Sequence, residues 1–143
     1  LFGIAIKPEP VRTVAELLVE VREGSKQVVV ARLDDTVDDA LKLFDSYDMH
    51  HLPVLDAERV VGIVSATDLL RHFARADSAG GSVPVAEVMT TEPEVIEAAA
   101  PVHKLVRRLA HAPFRCLPVV QGDCFLDIVT TRDLVRYLES IME

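Results

Sequence analysis

The sequence predicts a mixed α/β (α+β) fold, built as two pseudo-symmetric βαββα halves that pack sheet to sheet and leave two clefts between them. The first observation behind this is an internal repeat. Residues 28–73 align without a gap on residues 93–138, so that Leu52-Pro53-Val54 returns as Leu117-Pro118-Val119. Likewise Gly62-Ile63-Val64-Ser65-Ala66-Thr67-Asp68-Leu69 returns as Asp127-Ile128-Val129-Thr130-Thr131-Arg132-Asp133-Leu134. The identical positions are Val30, Val37, Leu52, Pro53, Val54, Ile63, Val64, Asp68, Leu69 and Arg71 of the first copy, and most are apolar. A duplication sets the architecture before any single motif does. The second observation is that short β-branched runs alternate with amphipathic stretches in both copies. The third is size: half of the 143 residues are apolar, yet a half of roughly 65 residues is too small to bury a sheet comfortably alone.

The elements follow in order. Leu1–Ile6 reads as a strand stopped by Pro8 and Pro10. Thr13 caps a short helix carrying Val14, Leu17, Leu18 and Val21, which Gly24 closes. Val28–Val30 reads as a strand. Asp34, Asp35 and Thr36 are cap candidates for a helix whose apolar face is Val37, Ala40, Leu41, Phe44 and Tyr47. Leu52–Leu55 and Val60–Val64 form a hairpin around a polar turn, followed by a helix from about Thr67 to Ala76. The second copy repeats this: a short helix at Val85–Met89, a strand at Glu94–Ile96, and a helix at Pro101–His111 facing inward through Val102, Leu105, Val106, Leu109 and Ala110. Strands at Cys116–Val120 and Phe125–Val129 come next, then a helix at Thr131–Met142 with Leu134, Val135, Leu138 and Ile141 inward. The predicted domains are therefore 14–76 and 85–142, with a Gly/Ser-containing linker at 77–84 and an N-terminal extension at 1–13. The first copy carries about six extra residues around Glu20–Lys26, because the two short helices lie further apart than the rest of the repeat.

Composition narrows the function. With 15 basic against 23 acidic residues the formal charge is −8, which disfavours nucleic acid and anionic lipid as partners. No apolar run reaches the length of a membrane span, and no signal-peptide pattern opens the chain, so a cytoplasmic location is expected. Cys116 and Cys124 read as small apolar thiols rather than a disulfide. There is no nucleophile elbow, P-loop, dinucleotide-binding glycine signature or close Cys/His pair. The five histidines are scattered, so neither catalysis nor a metal site is expected. The chain begins at Leu1 and not at Met, which leaves room for a longer polypeptide.

The chemistry concentrates where an apolar strand gives way to a helix, at Ser65-x-x-Asp68 and Thr130-x-x-Asp133. A hydroxyl followed three residues later by an acid is a capping box, in which both side chains satisfy free amides of the first helical turn. The same place suits a ligand. A helix N-terminus attracts phosphate, the hydroxyl adds a donor, and the carboxylate accepts from the hydroxyls of a ribose. Both readings stand on these residues alone.

The element order, the Leu-Pro-Val strand, the Gly-Ile-Val-Ser-x-x-Asp step and its tandem repetition resemble a pair of CBS domains, a Bateman module. The resemblance covers nearly everything from Val14 to Ile141. It implies a regulatory module that binds AMP, ADP, ATP or S-adenosylmethionine in its clefts, dimerises, and acts on an attached or separate effector domain. The nucleotide is then a regulatory ligand and not a catalytic cofactor. The resemblance also implies two sites built crosswise. One takes Thr130 and Asp133, with Ile128 beneath and a base pocket around Val29, Met49, His50 and His51. The other takes Ser65 and Asp68 with Ile63, and a base pocket from Glu94, Phe114, Arg115 and Cys116. Arg115 and Arg132 are the basic groups best placed for phosphate. Asp127 departs from the pattern, standing where the first copy has Gly62. It can pair with Arg132 or Arg115, or repel a phosphate, which makes the Thr130/Asp133 cleft the less certain one. The competing expectation is a dimerisation or interaction module that binds no ligand and uses both steps only as helix caps.

Overall fold

The structure, a computed structural model, describes residues 11–22, 28–75, 77, 80–111 and 115–142. The expected strand at Leu1–Ile6, the helix stop at Gly24 and the pocket residue Phe114 lie outside these. The fold is mixed α/β with a four-stranded and a three-stranded sheet, and it divides into two compact units.

The first unit, residues 28–94 with 123–125, is called here the Ser65 unit. It runs β1 (Ala31–Arg32), α2 (Val37–Ser46), β2 (His51–Asp56), β3 (Arg59–Ser65), α3 (Ala66–Ala74) and β4 (Thr90–Thr91), α1 (Val14–Val21) being the helix that precedes it in sequence. The sheet order is β1-β2-β3-β4, with β1 parallel to β2 and the others antiparallel. Its core is Ala31, Val37, Ala40, Leu52, Val54, Val64, Leu69 and Val85.

The second, the Thr130 unit, takes the described residues within 1–27, 95–122 and 126–143. It contains α1, β5 (Ile96–Glu97), α4 (Val102–His111), β6 (Cys116–Gln121), most of β7 (Cys124–Thr130) and α5 (Thr131–Ile141). Its core joins Val14, Leu17, Leu18 and Val21 of α1 to Ile96, Leu105, Leu109, Leu117, Val119, Val129 and Tyr137.

The units and the sequence repeats therefore do not coincide. The helix that opens the first repeat packs with the second, where Val14 and Ala15 donate backbone bonds to Ala100 and Ala98, both at 3.0 Å. Reciprocally, the helical turn Val85–Glu87 that opens the second repeat packs on the first, where Val85 N–H donates to Asp35 O at 2.8 Å. Each βαββα set leaves an apolar face that its own lead-in segment does not cover, and the exchange fills it.

Several expectations need correction. The strand bounds shift: β1 starts just after Val28–Val30, at Ala31, and β5 shares only its first residue, Ile96, with Glu94–Ile96. The reason is pairing: only Ala31–Arg32 and Ile96–Glu97 find parallel partners, at Val54–Leu55 and Val119–Val120. The inward faces are narrower than helical spacing suggested, since Leu41, Tyr47, Val106, Val135 and Leu138 are exposed. Buried Tyr137 takes the inward place on α5 and accepts the Val11 amide at 3.1 Å. Strand β4 carries no apolar signal and was not expected; it exists because Thr90 and Thr91 pair with Ile63 and Gly62.

Candidate functional site

Among the described residues, three helices begin with the same device. Thr36, Ser65 and Thr130 are the N-caps of α2, α3 and α5, and each accepts from the amide of an aspartate three residues on. These bonds measure 3.2 Å at Asp39, 3.1 Å at Asp68 and 3.2 Å at Asp133. In return each aspartate's Oδ2 accepts the cap residue's own amide, at 2.9, 2.8 and 2.8 Å respectively. All three are complete capping boxes. The box geometry alone therefore assigns no ligand, because Thr36–Asp39 has it too.

The boxes differ in what they leave over. At Thr36 the hydroxyl donates to Asp39 Oδ2 at 3.0 Å, and at Thr130 it donates to Asp133 Oδ2 at 3.1 Å. Both hydroxyl protons are consumed inside the box. At Ser65 the hydroxyl accepts from Asp68 N–H but donates to no group among the described residues, and Asp68 Oδ1 has no partner there either. Of the three boxes only this one keeps, among the described residues, one donor and one acceptor at a helix N-terminus, on residues that are only half-buried. A hydroxyl donor beside a carboxylate acceptor, at the positive end of a helix dipole, can bind a sugar hydroxyl and a phosphate together.

At Thr130 the spare carboxylate oxygen is taken. Asp133 is 3 % exposed, and its Oδ1 accepts from Arg22 Nη1 at 2.8 Å. The other guanidinium nitrogen donates to Ile128 O at 2.7 Å and to Asp127 Oδ1 at 3.2 Å. The partner of Asp127 is thus neither Arg132 nor Arg115, both of which are exposed, but a residue the sequence did not single out. Arg22 stands at the C-cap of α1, where its backbone N–H closes on Leu18 O at 3.0 Å. It lies in the stretch of the first copy that has no counterpart in the second, so no repeat signal could have flagged it.

The difference between Gly62 and Asp127 also has a cause in each unit. A Cβ on Gly62 would run into the Met89 thioether, which packs over β3. In the Thr130 unit the equivalent side chain has room and meets Arg22 instead.

Some of the remaining candidates are tied by backbone bonds to the step of their own unit. His50 O accepts the Ala66 amide at 3.2 Å and His51 is the register partner of Ser65, so Met49, His50 and His51 flank the Ser65 step. Ile63 sits between Pro53 and Thr90 in the sheet, Val29 packs half-buried against the core, and Glu94 is exposed. In the Thr130 unit Arg115 O accepts the Thr131 amide at 3.0 Å, which brings Arg115 and buried Cys116 beside the Thr130 step. Burial pushes the Cys116 thiol up to about 11. An open hollow of about 360 Å³ lies at the far end of β2, lined by Arg32, Leu33, Asp34, Leu55, Asp56 and Ala57, and contains none of these residues. Among the described residues no three His, Cys, Asp or Glu side chains gather as a metal site, and no helix is long and apolar enough to cross a membrane.

Comparison with known proteins bears on the fold and on the chain's context. The family model of the CBS domain matches twice, over residues 14–75 and 85–140. The A-adding tRNA nucleotidyltransferase of Geobacter sulfurreducens is 31% identical over 130 residues, which is 90% of this chain and 14% of that enzyme. The inosine-5'-monophosphate dehydrogenase of Korarchaeum cryptofilum is 28% identical over 116 residues, 80% of this chain and 23% of that enzyme. The chain thus spans less than a quarter of either of these relatives. Among solved structures, CBSX2 in complex with AMP is 29% identical, with a TM-score of 0.76 over 90% of this chain and 97% of that one. The CBS domain pair of MJ0100, in complex with 5-methylthioadenosine and S-adenosyl-L-methionine, has a TM-score of 0.73 at 22% identity, covering 92% and 98% of the two chains. With two matched copies spanning most of its length, this chain belongs to the CBS-domain family and is a tandem CBS pair.

Proposed function

We propose that the chain is a regulatory module that senses an adenosine-containing ligand and passes its bound state to an effector domain. The observation that carries this reading is a pair of groups at one helix entrance with no partner among the described residues, the Ser65 hydroxyl proton and Asp68 Oδ1. In this reading Asp68 accepts from the ribose hydroxyls, Ser65 donates to the phosphate, and the first-turn amides of α3 add their partial positive charge. Ile63, Met49, His50 and His51 border the nucleoside, because backbone pairing holds them against the same step. The AMP complex of CBSX2, a relative similar over nearly all of both chains, supports the ligand class. The catalytic names of the longer relatives fit a module that accompanies an active part rather than being one. A nucleotide ligand also fits a cytoplasmic setting.

Thermal shift tests this directly. Ligand at about a hundredfold excess over its Kd stabilises the native state by about 2.7 kcal/mol, which for a chain of this size is a rise of roughly 5–10 °C. AMP, ADP, ATP and S-adenosylmethionine form the series. At least one raises the melting temperature, and Asp68→Ala removes that rise while the protein stays folded. A flat series at millimolar ligand rejects the reading.

A second reading has its own observation. Leu70 and Phe73 of α3 are exposed, and so are Val135 and Leu138, their counterparts on α5 in the second repeat. A matched apolar pair on each repeat suits a second copy of this chain, so a homodimer accompanies the sensor or, without any ligand, replaces it. Light scattering at the mass of one chain rejects this.

A further inference from the structure

We infer that Arg22 is a built-in occupant of the Thr130–Asp133 step, so that the chain carries one open nucleotide step and not two. The inference rests on the nucleotide reading and adds to it a count and a regulator. The guanidinium makes three hydrogen bonds there, to Asp133 Oδ1, Ile128 O and Asp127 Oδ1. With the two bonds from Thr130 to Oδ2, both carboxylate oxygens of Asp133 are engaged. A ribose arriving at Asp133 must first displace a charge-assisted bond of 2.8 Å between side chains that are 14% and 4% exposed. Full departure of the guanidinium would also cost Asp127 its ion-pair partner, leaving that carboxylate oxygen the Ile128 amide alone. Among the described residues no such contact protects Asp68.

Asp127 is part of the same lock. Where the Ser65 unit has Gly62, the Thr130 unit places a carboxylate that also accepts the Ile128 amide at 2.7 Å. Asp127 holds the guanidinium over β7 and puts a negative charge where a phosphate would otherwise approach. Arg22 belongs to α1, the helix exchanged into this unit from the first repeat. Its three bonds tie that helix to β7 and α5, so the second hydroxyl–acid step has become a clasp for the exchanged helix.

Isothermal titration with AMP, together with a stability cycle that needs no ligand, tests the inference. Native protein binds one AMP per chain, Asp68→Asn abolishes that binding, and Asp133→Asn leaves its affinity within about twofold. Arg22→Ala combined with Asp127→Gly removes the occupant and the opposing charge, and raises the count to two. In the cycle, Arg22→Ala and Asp133→Ala each lower the melting temperature, and the double variant loses much less than the sum of the two. Two AMP per native chain, or one whose binding Asp133→Asn abolishes, overturns the inference. No heat with AMP from any protein, together with a flat thermal-shift series for ADP, ATP and S-adenosylmethionine, overturns the nucleotide reading and the one-step count with it, and additive losses in the cycle overturn the clasp.

Discussion

Asp68 and Asp133 occupy the same place in their helices, and each accepts its N-cap amide on Oδ2 at 2.8 Å, yet their other oxygens have opposite fates. Oδ1 of Asp133 is clamped by Arg22, while Oδ1 of Asp68 meets nothing among the described residues. Duplication supplied two equal steps, and one long-range ion pair made them unequal. The contrast separates what the helix needs from what a ligand can use.

Stability separates the two first. Asp133→Ala removes a cap worth about 1 kcal/mol and a charge-assisted hydrogen bond worth about 1.5–3 kcal/mol, while Arg22 keeps Asp127 and Ile128 O. Asp68→Ala loses only the cap, worth about 1 kcal/mol. Urea unfolding of both variants measures the difference, and equal losses contradict the assignment of Arg22.

The hairpin turns carry a second prediction. Ala57 and Gly122 hold the same place in the β2–β3 and β6–β7 turns, with φ of 55° and 61°. Glycine adopts this left-handed backbone freely, whereas an L side chain there costs about 1–2 kcal/mol. A Cβ at Gly122 meets nothing nearby, so the turn itself and not crowding sets the preference. Ala57→Gly therefore raises the unfolding midpoint by the equivalent of about 1 kcal/mol, and a lower midpoint refutes this.

Thiol chemistry gives a third. Cys116 is buried with its pKa pushed up to about 11, and Cys124 is exposed but raised by its hydrogen bond to Glu58 Oε2 at 3.4 Å. At pH 7.5 a maleimide labels Cys124 alone, because the thiolate is the nucleophile. Glu58→Gln removes the charge that opposes ionisation and speeds the labelling. Mass spectrometry of the adduct reads both results, and rapid labelling of Cys116 contradicts the packing around it.

Asp39 supplies a pH test. The Thr36 amide and hydroxyl hold its carboxyl below the ordinary 3.8. A group depressed in the folded state adds stability above its unfolded pKa and loses it as pH falls through the folded one. Thr36→Ala keeps the amide and removes only the hydroxyl bond, so it moves the Asp39 titration, followed by NMR, part of the way up toward 3.8, and an unchanged midpoint removes the hydroxyl as a cause.

Much of this was legible in the residues. The repeat gave the order of elements, and the hydroxyl-x-x-acid spacing gave the helix entrances, because both depend on short-range periodicity and capping. Strand limits were not legible: β1 and β5 start where β2 and β6 offer partners, which local propensity does not encode. The widths of the buried helix faces were overdrawn for a related reason, since Leu41, Val135 and Leu138 keep helical spacing without a neighbour to cover them. Arg22 was beyond reach as well. Its partner is 111 residues away, and the exchange of α1 between repeats brings them together.

A crystal structure of the native chain with AMP tests the central claim most directly. The account predicts ribose hydroxyls on Asp68 Oδ1, the phosphate near the Ser65 hydroxyl, and Arg22 still seated on Asp133. Nucleotide bound at Asp133 with Arg22 swung away, or an unoccupied Ser65 step at saturating AMP, contradicts it.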